Sequence, residues 1–200
     1  MKKRLLIFIT LVGCLSLGAI LSWLHHPLPQ AEGVLRLPTK EVVEIYTDSF
    51  GVPHVFALNE EDLFFTAGYI AARDRLFQLS MVNLAVKGEL SSVLGKEYVK
   101  TDLYLRTWRI YVTAKKLVQR MKPENKVIFD NFCKGINYRI EETSNDLPLE
   151  FKLLRFSPPE WDPVVVAGYA RMMAHEMQGS WKAEIVFGAV QNYFGDKKLE

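Results

Sequence analysis

Residues 62–79 read Asp62-Leu-Phe-Phe-Thr-Ala-Gly-Tyr69-Ile-Ala-Ala-Arg-Asp-Arg75-Leu-Phe-Gln78-Leu, and this stretch decides the fold. Leu63, Ala67, Ile70, Ala71, Asp74, Phe77 and Met81 recur at three- and four-residue spacing, the period of a helix with one face against a core. The entry is well signalled. Asn59 stands as an N-cap, and Glu60, Glu61 and Asp62 lie over the positive end of the helix dipole. The spacing predicts a long helix from there to about Lys87. Its stripe carries a charge: Asp74, flanked by Arg73 and Arg75, has to be paired or hydrogen-bonded if it is buried.

Working outward toward the N-terminus, Val42 to Tyr46 is β-branched and aromatic and reads as a strand. Asp48-Ser-Phe-Gly-Val-Pro53 is turn chemistry, and Val52 to Ala57 resumes as a second strand, which predicts a hairpin. In the other direction, helices are expected over about 103–121, 124–143, 163–178 and 181–194. Pro123, Pro148 and the Pro158-Pro-Glu-Trp-Asp-Pro163 stretch punctuate them, because proline disfavours the α region for the residue before it. The expectation is an α+β chain, mainly helical, with a short N-terminal strand hairpin.

At 200 residues, with 49% of them apolar, the chain has the size of one domain and material for a sizeable core. Lys and Arg exceed Asp and Glu by only two, and no basic block or aromatic-interleaved basic stripe follows residue 4, which argues against nucleic acid as a partner. Cys14 and Cys133 have neither the spacing of a zinc site nor that of a disulfide framework.

Lys2-Lys3-Arg4 precedes an uncharged, mainly apolar run from Leu5 to Leu24, about long enough to cross a bilayer core. Residues 1–28 are read as a signal anchor or a signal peptide, with the basic residues cytoplasmic and the remainder exported, so that the membrane is contacted through residues 5–24. Leu11-Val-Gly-Cys14 also has the small-residue-then-Cys pattern of a lipoprotein signal, although the chain stays apolar beyond Cys14. Residues 29–41 read as a tether, and 42–200 as the folded region.

A search for broad catalytic signatures finds no GxSxG, P-loop, GxGxxG or HExxH pattern. On chemistry alone His54 and His175 read as structural histidines, and Trp108, Trp161 and Trp181 as packing residues.

Several blocks, taken in order, resemble the α-chain region of the penicillin acylase (penicillin amidase) family. They are Asp48-Ser-Phe-Gly-Val-Pro-His54; Asp62 to Leu79 with its Arg-Asp-Arg-Leu-Phe-Gln centre; Gly88-Glu-Leu-Ser-Ser-Val-Leu-Gly95 followed by Asp102 and Arg106; Phe132-Cys-Lys-Gly135-Ile-Asn137; Leu147-Pro-Leu-Glu150-Phe; Pro158-Pro-Glu-Trp161-Asp-Pro163; and Gly179-Ser-Trp181-Lys-Ala-Glu184-Ile. Departures from the family pattern are Arg73 in place of Gln, Thr47 in place of Arg, Ser180 in place of Asn, and Met177 near an aromatic position.

The resemblance implies the α-chain portion of an N-terminal-nucleophile (αββα) hydrolase, completed by a β-chain region of the same precursor. In that family the nucleophile is the first residue of the β chain, and its free α-amine serves as the base. No catalytic residue is therefore expected among these 200, and the chain alone is expected to hydrolyse nothing. The resemblance further implies that Met173 and Met177 line an apolar acyl pocket for a small-molecule amide, such as a β-lactam or an acyl-homoserine lactone. It also makes Glu184 a ligand to a calcium ion shared with the β chain. The competing reading is a truncated, inactive remnant, at most a membrane-anchored binding module. Alone, the chain is expected to expose the apolar faces of several helices.

Overall fold

The computed structural model describes residues 2–24 and 33–195. Its elements are α1 (Lys2–Leu24), β1 (Glu44–Thr47), β2 (Pro53–Phe56), α2 (Glu60–Lys87), α3 (Ser91–Leu94), a 3-10 turn (Lys96–Tyr98), α4 (Val99–Thr107), α5 (Ile110–Gln119), α6 (Pro123–Glu142), α7 (Leu149–Leu154), α8 (Pro163–Met177) and α9 (Ser180–Phe194). The two strands pair antiparallel with Tyr46 opposite His54.

The hairpin turn is tied by one carboxylate. Asp48 Oδ1 accepts from the N–H groups of Phe50 and Val52, both at 2.9 Å, and Oδ2 lies 3.2 Å from His54 Nε2. The first sequence block is thus a turn-closing device, and His54 has the partner its structural reading required.

The long helix starts where expected, with the Asn59 side chain accepting from the Asp62 N–H. Its phase differs from the sequence expectation. Arg75 has non-helical backbone (φ −141°, ψ 38°), so the helix kinks there. The buried face runs through Phe65, Tyr69, Ala72, Leu76 and Leu84, while Asp74 is exposed and paired with Arg73 at 2.8 Å. The buried charge is Asp62 instead.

α2 packs mainly on α6, and the crossing is close because both helices present glycine. A Cβ on Gly68 would strike the Phe132 carbonyl oxygen, and one on Gly135 would strike the Phe65 carbonyl oxygen. Around this crossing Ala72, Leu76, Cys133, Ile136, Phe151, Trp161 and Val165 form the main core; a second cluster joins Val86, Ile110 and Met172. Burial pushes the Cys133 thiol up to about 12, which makes it an inert packing group.

Three further points differ from the sequence reading. The helix expected over 103–121 is broken, because Arg109 adopts a left-handed conformation (φ 54°) between α4 and α5. The short α3 and α7 lie in stretches read as connections. The run assigned to the membrane, 5–24, lies within α1, but among the described residues no helix is long and apolar enough to cross a membrane. The side chains described there, from residue 10 to residue 22, cover about 20 Å of helix against a hydrocarbon core of about 30 Å. Residues 25–28 of the signal segment and 29–32 of the tether lie outside the described residues.

Candidate functional site

The surface to which the sequence assigns substrate and ion contacts is the corner between α8 and α9, and polar side chains far away in sequence position it. Asn137 clamps the backbone of Trp161 from both sides: its Nδ2 donates to the Trp161 carbonyl at 2.8 Å, and its Oδ1 accepts from the Trp161 N–H at 2.9 Å. Asn83 Nδ2 donates to the Glu160 carbonyl at 3.0 Å. The loop so fixed delivers Asp162 as the N-cap of α8, accepting from Val164 and Val165 N–H at 2.7 and 3.0 Å. The Pro-Pro-Glu-Trp-Asp-Pro block therefore aims α8.

On α8, Val165, Ala167, Gly168 and Met172 are buried, which turns Met173 and Met177 outward. These two lie four residues apart, hence on one face. Met173 is 39% and Met177 79% exposed. Glu184 lies on the next helix and is exposed; among the described residues no hydrogen bond or ion pair reaches it.

An aromatic cluster holds the corner. The Trp108 ring lies 4.2 Å from that of His175 and 5.7 Å from that of Trp181, and the Tyr104 hydroxyl is 3.1 Å from His175 Nε2. Lys182 Nζ sits 5.6 Å from the centre of the Trp181 ring. Trp161 is a core residue as expected, whereas Trp108 is 42% exposed and belongs to this cluster. Sequence reasoning missed the cluster because its members come from three helices and share no local spacing.

Beyond the corner, α9 carries a wide apolar face, with Glu184, Gln191 and Asn192 on the remaining side. Ile185, Val186, Phe187, Tyr193 and Phe194 are each more than half exposed, and α9 has no buried residue. Ile185, Val186 and Phe187 in succession spread that face over more than half of the helix circumference, wider than the stripe of an ordinary surface helix.

Two carboxylates brace the two ends of α2. Asp62 accepts from the N–H groups of Lys40 and Glu41, both at 2.9 Å, and from Asn59 Nδ2 at 2.7 Å. Burial raises its pKa, but these donors together with the Lys40 charge outweigh that, and the net is low. Asp102 accepts from Leu90 and Ser91 N–H, both at 2.8 Å. Its pKa too is lowered: burial raises it, and the Ser91 donors, the Leu90 N–H and the Arg106 charge prevail. Arg106 Nε donates to the Gly88 carbonyl at 2.9 Å, and Gly88 caps α2 in the left-handed region (φ 67°). The block from Gly88 to Arg106 is a single brace on the end of α2, a structural role rather than a chemical one.

With the geometry in place, comparison with known proteins is informative. The family model for penicillin amidase matches residues 42–200. The chain belongs to the penicillin amidase family. Among curated relatives it is 30% identical to a penicillin G acylase of Escherichia coli over 163 residues, 78% of this chain and 18% of the relative. It is 26% identical to the acyl-homoserine lactone acylase QuiP of Pseudomonas fluorescens over 153 residues, 76% of this chain and 19% of the relative. The chain therefore spans about a fifth of the length of the curated relatives it matches. A solved structure of a thermostable penicillin G acylase from Alcaligenes faecalis superposes with a TM-score of 0.64 at 27% identity, covering 78% of this chain and 85% of that one. The mainly helical fold with its short hairpin is thus that of a penicillin-amidase N-terminal region.

The calcium expectation meets a limit within this chain. Among the described residues no group of three or more His, Cys, Asp or Glu side chains is placed to hold a metal ion. A hard cation wants six or more oxygens, so the exposed Glu184 does not make a site by itself.

Proposed function

We propose that this chain is the N-terminal, α-chain-like portion of an exported amide hydrolase that removes an apolar acyl group, and that the nucleophile is supplied by a β-chain region of the same precursor. The observation that carries this reading is the exposed apolar surface of the α8–α9 corner. Met173 and Met177 project from it, and the wide exposed apolar face of α9 follows. Monomeric proteins rarely leave such a surface uncovered. Met173 and Met177 would form one wall of the acyl pocket, and two unbranched thioethers suit acyl chains of varied shape. The names of the relatives support two substrate classes, a β-lactam amide and an acyl-homoserine lactone. Glu184 would give one oxygen to a calcium ion whose other ligands come from the β-chain region. Lys2-Lys3-Arg4 ahead of an apolar run supports export.

The test is hydrolysis by the chain alone and by the chain expressed together with the segment encoded after residue 200, assayed on penicillin G and on acyl-homoserine lactones of several lengths. The reading expects acyl release only from the joined protein. In that protein, added calcium should raise the melting temperature, and Glu184→Gln should remove most of the rise. Inactivity of the joined protein on both substrate classes would instead favour the inactive remnant.

A further inference from the structure

The near-neutral charge of the whole chain conceals a local imbalance. Lys115, Lys116, Arg120, Lys122 and Lys126 lie within one short stretch against a single acid, Glu124, and all six are exposed. Among the described residues the ion pair reaching these cations is Lys122 with Glu124, long at 3.7 Å, with the two side chains 76% and 71% exposed.

The stretch spans the end of α5 and the start of α6, and the two helices leave a groove of about 720 Å³ between them. Its walls include Leu117, Met121, Ile128 and Phe129, and Lys116 and Arg120 line it as well. Leu117 and Val127 remain 42% and 41% exposed. The surface thus has an apolar floor with long, exposed cationic side chains around it, whose methylene stems can lie along apolar groups while the heads stay in water.

We propose that this α5–α6 corner docks on an anionic lipid surface, with Leu117 and its neighbours entering the boundary between headgroups and acyl chains while the cations contact lipid phosphates. A bilayer uses both halves of the surface, because it offers apolar chains directly beneath a layer of negative charge. An acidic peptide would meet the cations and leave the apolar floor idle. Single-stranded nucleic acid would want exposed rings to stack on, and the one ring in the groove, Phe129, is partly buried. The residues it uses are separate from Met173, Met177 and Glu184, on which the hydrolase reading draws.

The test uses the full chain with Cys14→Ser and Leu117→Cys, the new thiol carrying a polarity-sensitive fluorophore; buried Cys133, with its raised pKa, stays unlabelled. A second protein carries the probe through Leu153→Cys on α7, where the native side chain is 61% exposed. Both meet vesicles of phosphatidylcholine, alone and mixed with phosphatidylglycerol. The expected result is a blue shift at position 117 with the mixed vesicles only, and none at position 153. Each cation near an anionic surface raises binding about fivefold, so the triple change Lys116→Gln, Arg120→Gln, Lys122→Gln should demand about a hundredfold more lipid for the same shift. The proposal is overturned by equal shifts with both vesicle types, by a shift at both positions, or by vesicle adsorption through α1 that leaves position 117 in water. It is also overturned if monomeric octanoate gives the same shift, because the groove would then be a small-anion site.

Discussion

Asp62 and Asp102 do the same work at two places: a buried carboxylate gathers two successive backbone N–H groups of a connecting segment that has no ladder to satisfy them. Both titrate below the ordinary aspartate value, so the stability they supply is fully present above about pH 4 and is lost as pH falls through their lowered values. Asp102→Asn keeps the shape but replaces one acceptor oxygen with a donor facing an N–H. It should cost about 2 kcal/mol at neutral pH in a denaturant titration of the assembled protein, and the difference from wild type should shrink in acid. Gly135→Ala drives a methyl group into the α2 backbone and should cost about 3 kcal/mol or more by the same measurement. The sequence shows that a buried charge exists in the 62–79 stretch, but it points to Asp74. Periodicity counts apolar neighbours and is blind to backbone donors twenty residues away, which are what make Asp62 the buried one.

At the level of elements, almost every helix and both strands are legible, because proline, N-cap and spacing signals agree. The exceptions have physical causes. The buried stripe of α2 is displaced from the expected one on both sides of Arg75, and the kink at Arg75 comes with no proline or glycine to announce it. The α4–α5 break falls at Arg109, a residue with no preference for the left-handed region it occupies. Since that conformation costs a non-glycine residue roughly 1–2 kcal/mol and glycine pays part of this back in unfolded-state entropy, Arg109→Gly should stabilise the protein by about 0.5 kcal/mol. A thermal melt would show it as a small rise. The short α7 escapes the sequence reading because six residues, Leu149–Leu154, hold too little periodicity to separate from a loop.

For the molecule as a whole, the ordered blocks of the sequence divide into two kinds of role. Most of them build the frame: the Asp48 turn, the Gly68–Gly135 crossing, the Gly88–Asp102–Arg106 brace and the Asn137–Trp161 clamp. The last, on α9, packs Trp181 against Trp108 and leaves Glu184 and Ile185 exposed. Met173, Met177 and Glu184 are candidates through family resemblance alone, since no charge pairing, burial or spacing within the chain marks them. The Trp108–His175–Trp181 cluster was not legible at all, because it forms only when α4, α8 and α9 meet. A chain with a well-packed α2–α6 core and an uncovered apolar end is expected to bind hydrophobic dyes and to aggregate through that end when isolated.

Whether α9 depends on a covering surface from the proposed β-chain region is read out by amide hydrogen exchange of the monomeric chain. If it does, exchange is rapid throughout α9 while α2 and α6 are strongly protected at their crossing. Protection of α9 in the monomer as strong as that of α6 would contradict it.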